Sequence, residues 1–313
     1  MRPQVVLVLF LLTAGAGYAA AQSNSKVPDV KVRRLSPRAA IVDLDPSGFS
    51  TATVAVATSK GLLVIEAPGD PNIGKAIREA IQTEFKRSDF AWLLYTHEHH
   101  TGGAVAFGDV PAVGHEWVRK LLVAAGRTAP DVTFDRQMTL YLGDVTVRLV
   151  YYGQSHTPGD TIISIPEENL VVTGSLFFPG QIPMLGARGK PVPRGKVGSP
   201  ESPGPETVEN WLVILRGLVE SADGRTQFIP GHGLETMNKA YMQQTLAYLE
   251  KLWSEVRRAK AEGKTLEQTQ AGLTFEERFP ELADRQDAIW AGTQYEIRGV
   301  HQYNVEFLWR VLE

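Results

Sequence analysis

The stretch Thr96-His97-Glu98-His99-His100-Thr101-Gly102-Gly103 directly follows an apolar run, Ala91-Trp92-Leu93-Leu94-Tyr95. Five apolar residues between polar flanks predict a short buried strand. The histidines therefore leave a strand end and enter a loop closed by two glycines. Three near-adjacent imidazoles repel one another when protonated and serve no packing purpose. Neutral imidazole is, however, the usual zinc ligand, so the loop reads as one wall of a metal site.

Two further histidines share this setting. His156 lies in Ser155-His156-Thr157-Pro158-Gly159, after a predicted strand at Val145–Val150, and His232 lies in Pro230-Gly231-His232-Gly233, after Gln227–Ile229. Imidazoles on loops at one sheet edge can converge on a point without helical spacing. The chain has no cysteine. This excludes thiolate ligands, a thiol nucleophile and a lipid anchor on an N-terminal Cys, and leaves His, carboxylate, hydroxyl and water as ligands. The two remaining histidines, His115 and His301, lie outside these turns and read as surface or packing residues.

The surrounding chain alternates strands and helices. Ala40–Val42, Ala52–Ala57 and Leu62–Ile65 read as strands; Ile73, Ile77, Ile81 and Phe85 repeat with helical spacing, and Trp117–Ala125 reads as a helix. Leu140 and Leu142, a Gly143-Asp144 turn, then Val145, Val147 and Leu149 make a hairpin. A second hairpin joins Thr161–Ile165 to Leu170–Thr173 around Glu167-Glu168-Asn169. Residues 179–205 are rich in Gly and Pro and read as a long loop, of the kind that in a compact domain is functional or disordered. Helices follow at Val208–Val219 and Asn238–Ala261, the latter with Met242, Leu246, Leu249, Trp253 and Val256 on one face. The pattern is α/β with mixed sheets.

The histidine loop resembles the H-x-H-x-D-H-x-G-G signature of the metallo-β-lactamase superfamily. Gly153–Asp160 is similar to the family's second histidine segment, Thr173-Gly174-Ser175 to its T-G-D segment, and Ile229–Gly233 to its closing G-H-G. The resemblance runs over roughly residues 35–235. It implies a four-layer αββα sandwich with the site at one edge of the two sheets. The first signature is two residues short and lacks its aspartate, and two registers fit. In one, His97 and His99 form the H-x-H pair and His100 is the last histidine. In the other, Tyr95 replaces the first His and His99 the Asp. The first matches how family members enter the motif, with Tyr-Thr-His directly after a strand.

In that register the resemblance implies a first metal site of His97, His99 and His156. A second site keeps His100 and His232, and Ser175 stands where the bridging aspartate would be. Asp160 follows nearby, at the second site's side of the motif set. Zinc is the implied cofactor, one ion tightly bound and a second weak or absent. The implied chemistry is metal-assisted hydrolysis, in which zinc acidifies a bound water to give a hydroxide that attacks an ester, lactam or related acyl centre. Glu98, between two ligands, is the candidate general base; its other reading is a solvent-facing loop acid. Phe177, Phe178, Met184 and Leu185 are candidate pocket walls, and Arg188, with Lys190, Arg194 and Lys196, a candidate anchor for a substrate carboxylate. A β-lactamase and a non-catalytic metal- or ligand-binding module are the alternatives.

Composition narrows the rest. Hydrophobic content of 43%, charged content of 21% and a net charge of -3 are those of an ordinary folded chain without a basic patch, which disfavours nucleic acid as partner. Arg2, the apolar run Val5–Leu12 and Ala19-Ala20-Ala21 before Gln22 form a signal-peptide pattern. The expected organisation is a signal peptide at 1–21, a sandwich domain at 22–235 and a helical extension at 236–313. A periplasmic or secreted protein acting on a small molecule, free of the membrane after cleavage, is expected.

Overall fold

Side-chain alternation sets the layers. In β3 (Thr53–Thr58) and β4 (Gly61–Ile65), Val54, Val56, Leu63 and Ile65 face one way, and Ala55, Leu62 and Val64 the other. Both sets are buried, as a strand covered on two faces requires. The computed structural model describes residues 30–44, 51–178, 182–183, 185, 204–233, 235–280 and 297–313. The expected signal peptide, Met184, Arg188, Lys190, Arg194 and Lys196 lie outside these residues.

β3 and β4 belong to a seven-stranded sheet with β1 (Val30–Arg34), β2 (Ala39–Leu44), β5 (Phe90–Leu94), β6 (Ala112–His115) and β7 (Val132–Phe134), ordered as numbered. β4 to β7 are mutually parallel. The second sheet holds β8 (Gln137–Tyr141), β9 (Thr146–Tyr151), β10 (Thr161–Ile165), β11 (Leu170–Gly174) and β12 (Gln227–Pro230), with β12 parallel to β11. Val54, Leu63, Leu94, Val147, Leu149, Ile163 and Val172 fill the space between the sheets. The outer face of the first sheet carries α1 (Pro71–Phe85) and α2 (Glu116–Ala124) through Ile77, Ile81, Val118 and Leu122. The outer face of the second carries α3 (Pro205–Ser221), α4 (Lys239–Ala261) and α7 (Ile297–Val311), with α5 (Leu266–Gly272) and α6 (Phe275–Arg278) beside them. The order of layers is helix, sheet, sheet, helix, the αββα sandwich that the resemblance implied. No helix among the described residues is long and apolar enough to cross a membrane.

Local chemistry fixes the element ends. Asp70 caps α1 by accepting from the Asn72 and Ile73 amides at 2.8 and 3.0 Å, and Pro71 occupies the first helical position. Three strands escaped the sequence reading. β1 is mostly polar by residue type, and its pairing with β2 orders it. β6 and β7 have four and three residues, too few for a period to register. The ends of β4, β5, β9, β11 and β12 all lead to one edge of the sandwich, and the histidine loops leave from it.

Candidate metal centre

The five motif histidines gather at that edge. His97 lies edge-on to His100, His99 and His156 with ring centroids 4.4, 5.0 and 5.6 Å apart; His99 is 5.3 Å from His156, and His100 4.8 Å from His232. One group whose ligand atoms lie within 4.8 Å of one another is His97, His99 and His156; a second is Glu66, His97 and His100. Tyr95, the alternative first ligand, is buried instead against the α1/α2 layer. His97 and His100 are buried while His99 is exposed, so the cluster opens on the His99 side.

Glycine makes the close approach possible. A Cβ on Gly174, at φ +56°, would stand 2.5 Å from Thr96 Oγ1, and one on Gly231 would stand 2.8 Å from the His100 ring. The loops after β11 and β12 can therefore touch the histidine loop only without side chains at these two positions. The Thr161 amide donates to the Thr96 carbonyl at 2.8 Å and ties the two sheets together beside His97.

Glu66 was not among the expected site residues. It follows β4 directly, at φ +69°, a conformation costly for a non-glycine residue. Its Oε1 accepts from the Thr96 amide and hydroxyl, both at 2.6 Å, and its Oε2 lies 3.0 Å from His100 Nδ1. Burial pushes its pKa up to about 8 against those hydrogen bonds. Because the Thr96 hydroxyl donates to Glu66, it accepts from His97 Nδ1, 2.9 Å away. That assigns the proton to Nδ1 and leaves the His97 Nε2 lone pair facing the site, where Ser175 Oγ lies 3.2 Å away. A buried carboxylate orienting ligand imidazoles through their far nitrogens is a common second layer of metal sites. Burial, reinforced by the neighbouring histidines, lowers the His97 pKa well below its ordinary value; burial takes that of His100 to about 3. His97 and His100 are therefore held as neutral imidazoles, the form that binds zinc.

The other expected residues divide. Ser175 touches His97, the residue common to both groups. Asp160 does not stand free beside the second site: its oxygens accept from Ser155 Oγ at 2.8 Å, Thr157 N at 2.6 Å and Thr157 Oγ1 at 2.9 Å, bracing the turn that carries His156. Burial raises its pKa to about 7. Glu98 is not a solvent-facing acid. Its Oε1 is 3.3 Å from His99 Nε2, its side chain is largely buried, and burial raises its pKa. Phe178 stacks on His232 with centroids 4.8 Å apart, and Trp211 meets His156 edge-on at 5.9 Å. Phe177 and Leu185 are fully buried in the helical layer behind this apolar rim. His115 and His301 are away from the cluster but are not surface residues. His115 caps α2, its Nδ1 accepting from the Trp117 amide at 3.2 Å, its Nε2 lies 2.8 Å from the Asp135 carbonyl, and it stacks on Tyr151.

A sandwich with histidine loops at one edge matches known proteins. The family model of the metallo-beta-lactamase superfamily matches residues 46–254. The chain belongs to this superfamily. Among curated relatives, the alpha subunit of a 2,4-dinitroanisole O-demethylase from Nocardioides sp. is 24% identical over 41% of this chain and 42% of its own length. The chain thus spans less than half of that relative. A type 2 metallo-beta-lactamase from Bacillus sp. is 21% identical over 61% of this chain and 70% of its own. A metallo-beta-lactamase structure from Pontibacter korlensis superposes with a TM-score of 0.57 at 20% identity, covering 71% of this chain and 99% of that one. Superfamily members are generally hydrolases, and this chain has their fold.

Proposed function

We propose that the protein is an exported zinc-dependent hydrolase acting on an ester, lactam or related acyl substrate. The observation that carries this reading is the convergence of five imidazoles at one sheet edge of a superfamily member. His97, His99 and His156 would hold the tight zinc, and His100 and His232 flank a weaker position. A zinc ion supplies a Lewis acid and a water acidified toward neutrality.

The chain's own residues do the remainder. Thr96 and Glu66 hold His97 with Nε2 presented to the site. Asp160 fixes the turn that presents His156. Glu98, beside His99 and with a raised pKa, can carry a proton to a leaving group. Phe178 and Trp211 give the substrate an apolar rim.

The test is turnover of zinc-loaded protein on a panel of a carboxylic ester, a thioester, a β-lactam and an activated aryl ether, with zinc content measured in parallel. Hydrolysis of an acyl substrate, lost with zinc, is expected. Turnover confined to the lactam would select the β-lactamase reading, for which Ser175 in place of the bridging aspartate also speaks. Zinc binding without turnover would overturn the enzyme reading in favour of a binding module. Export is checked separately: N-terminal sequencing of periplasmic or secreted material should begin near Gln22, and an intact Met1 in the membrane fraction would contradict it.

A further inference from the structure

A buried polar chain runs through the C-terminal helices and ends on the segment that follows the site's apolar rim. His301 on α7 meets the Leu273 carbonyl through Nε2 at 2.8 Å. A carbonyl only accepts, so Nε2 carries the proton and Nδ1 accepts from the Tyr248 hydroxyl of α4, 3.0 Å away. The Tyr248 oxygen in turn accepts from Asn304 Nδ2 at 3.2 Å. The Asn304 carboxamide then grips backbone on both sides: Nδ2 donates to the Pro183 carbonyl at 2.7 Å, and Oδ1 accepts from the Leu185 amide at 2.9 Å. His301 and Asn304 are fully buried and Tyr248 nearly so.

Such a chain is costly to bury unless each member is satisfied. Here two of its hydrogen bonds serve a segment far away in sequence rather than the helices themselves. That segment starts a few residues after Phe178, which stacks on His232. Ile182 and Leu185 pack in one apolar layer with Phe177 and with Trp211, whose ring edge meets His156.

We propose that Asn304 is a positioning residue that clamps Pro183 and Leu185 to the C-terminal helices. Through this clamp α4 and α7 set the substrate-facing wall beside His232 and His156. The inference rests on the hydrolase reading only for its effect on substrate. A planar group offering one donor and one acceptor to a Pro183 carbonyl and a Leu185 amide is a two-point grip, and an apolar side chain of similar size cannot replace it.

The experiment uses the full-length zinc-loaded protein and measures hydrogen exchange of the Leu185 amide. Asn304→Leu should speed that exchange by a factor of about 10 to 100. Tyr248→Phe removes the anchor behind Asn304 and should speed it by a smaller factor, which keeps the test open if Asn304→Leu does not fold. Leu308→Ala, a cavity one turn beyond Asn304 that removes none of the chain's hydrogen-bonding groups, reports what general loosening does. Zinc content should stay at the parent value in all three. KM for a bulky acyl substrate should rise several-fold in Asn304→Leu with kcat within about twofold. Leu185 exchange that stays slow, or that rises no more than in Leu308→Ala at matched global stability, would overturn the clamp. Raised exchange with KM unchanged would overturn its role in substrate recognition. A parent that hydrolyses nothing overturns the proposed function, while the exchange result still decides the clamp.

Discussion

The two groups that meet at His97 differ in access and in charge. His97, His99 and His156 present imidazoles only, and His99 reaches solvent. Glu66, His97 and His100 are all buried, and the group contains a carboxylate whose pKa is raised to about 8. Glu66 Oε2 lies 3.0 Å from His100 Nδ1, and the His100 ring meets His232 edge-on at 4.8 Å. Under the proposed function the first group would bind the metal, and the second would hold His97 through Thr96 with Nε2 toward the site. Glu66 brings a second carboxylate to the histidine loop from the end of β4.

The largest expected effect breaks the first group. His156→Ala leaves two imidazoles there and should lower zinc affinity by more than about 100-fold, beyond what loss of an outer partner causes. Zinc analysis after dialysis and ester hydrolysis should both fall to background. Next comes Glu66→Gln, which keeps the shape but weakens the acceptor behind Thr96 and removes the carboxyl beside His100. A loss of about 10- to 100-fold in zinc affinity is expected. A loss as large as that of His156→Ala would make Glu66 a direct ligand and merge the two groups.

Within the second group, Glu66 and His100 act at opposite ends of the pH range in the metal-free protein. Between about pH 4.5 and 8 the folded state keeps a proton on Glu66 that the unfolded chain has released, so stability falls as pH rises through that window. Between pH 6.5 and about 3 the unfolded chain takes a proton that His100 refuses, so stability falls as pH falls. Glu66→Gln should shrink the first loss to the part that Asp160 and Glu98, also raised by burial, contribute, and leave the second, as read from denaturant midpoints at pH 5, 6.5 and 8. The smallest effect on metal comes from His115→Ala, with zinc content unchanged. Loss of the α2 cap should still cost about 0.5–2 kcal/mol in a denaturant titration.

Much of this was legible in the sequence because its signals are local. The histidine loop, its glycines and the turns around His156 and His232 each lie within a few residues, and α1 shows its period in four apolar positions. Glu66 was not legible, because one acid between Ile65 and Ala67 looks like any strand end. Its only signal is topological: β4 and β5 are parallel with Ile65 opposite Leu94, which brings Glu66 beside the start of the histidine loop. For His115 the sequence left packing and solvent exposure both open, since its cap and its stack on Tyr151 depend on a neighbouring strand. Asn304 joins partners more than a hundred residues apart, beyond any periodicity.

The central claim is that one group binds zinc tightly and the other supports it. Elemental analysis of the purified protein after exhaustive dialysis tests this most directly. The account predicts about one zinc per chain, absent from His156→Ala and retained by His115→Ala. Two tightly held zinc ions per chain, or none, would contradict it.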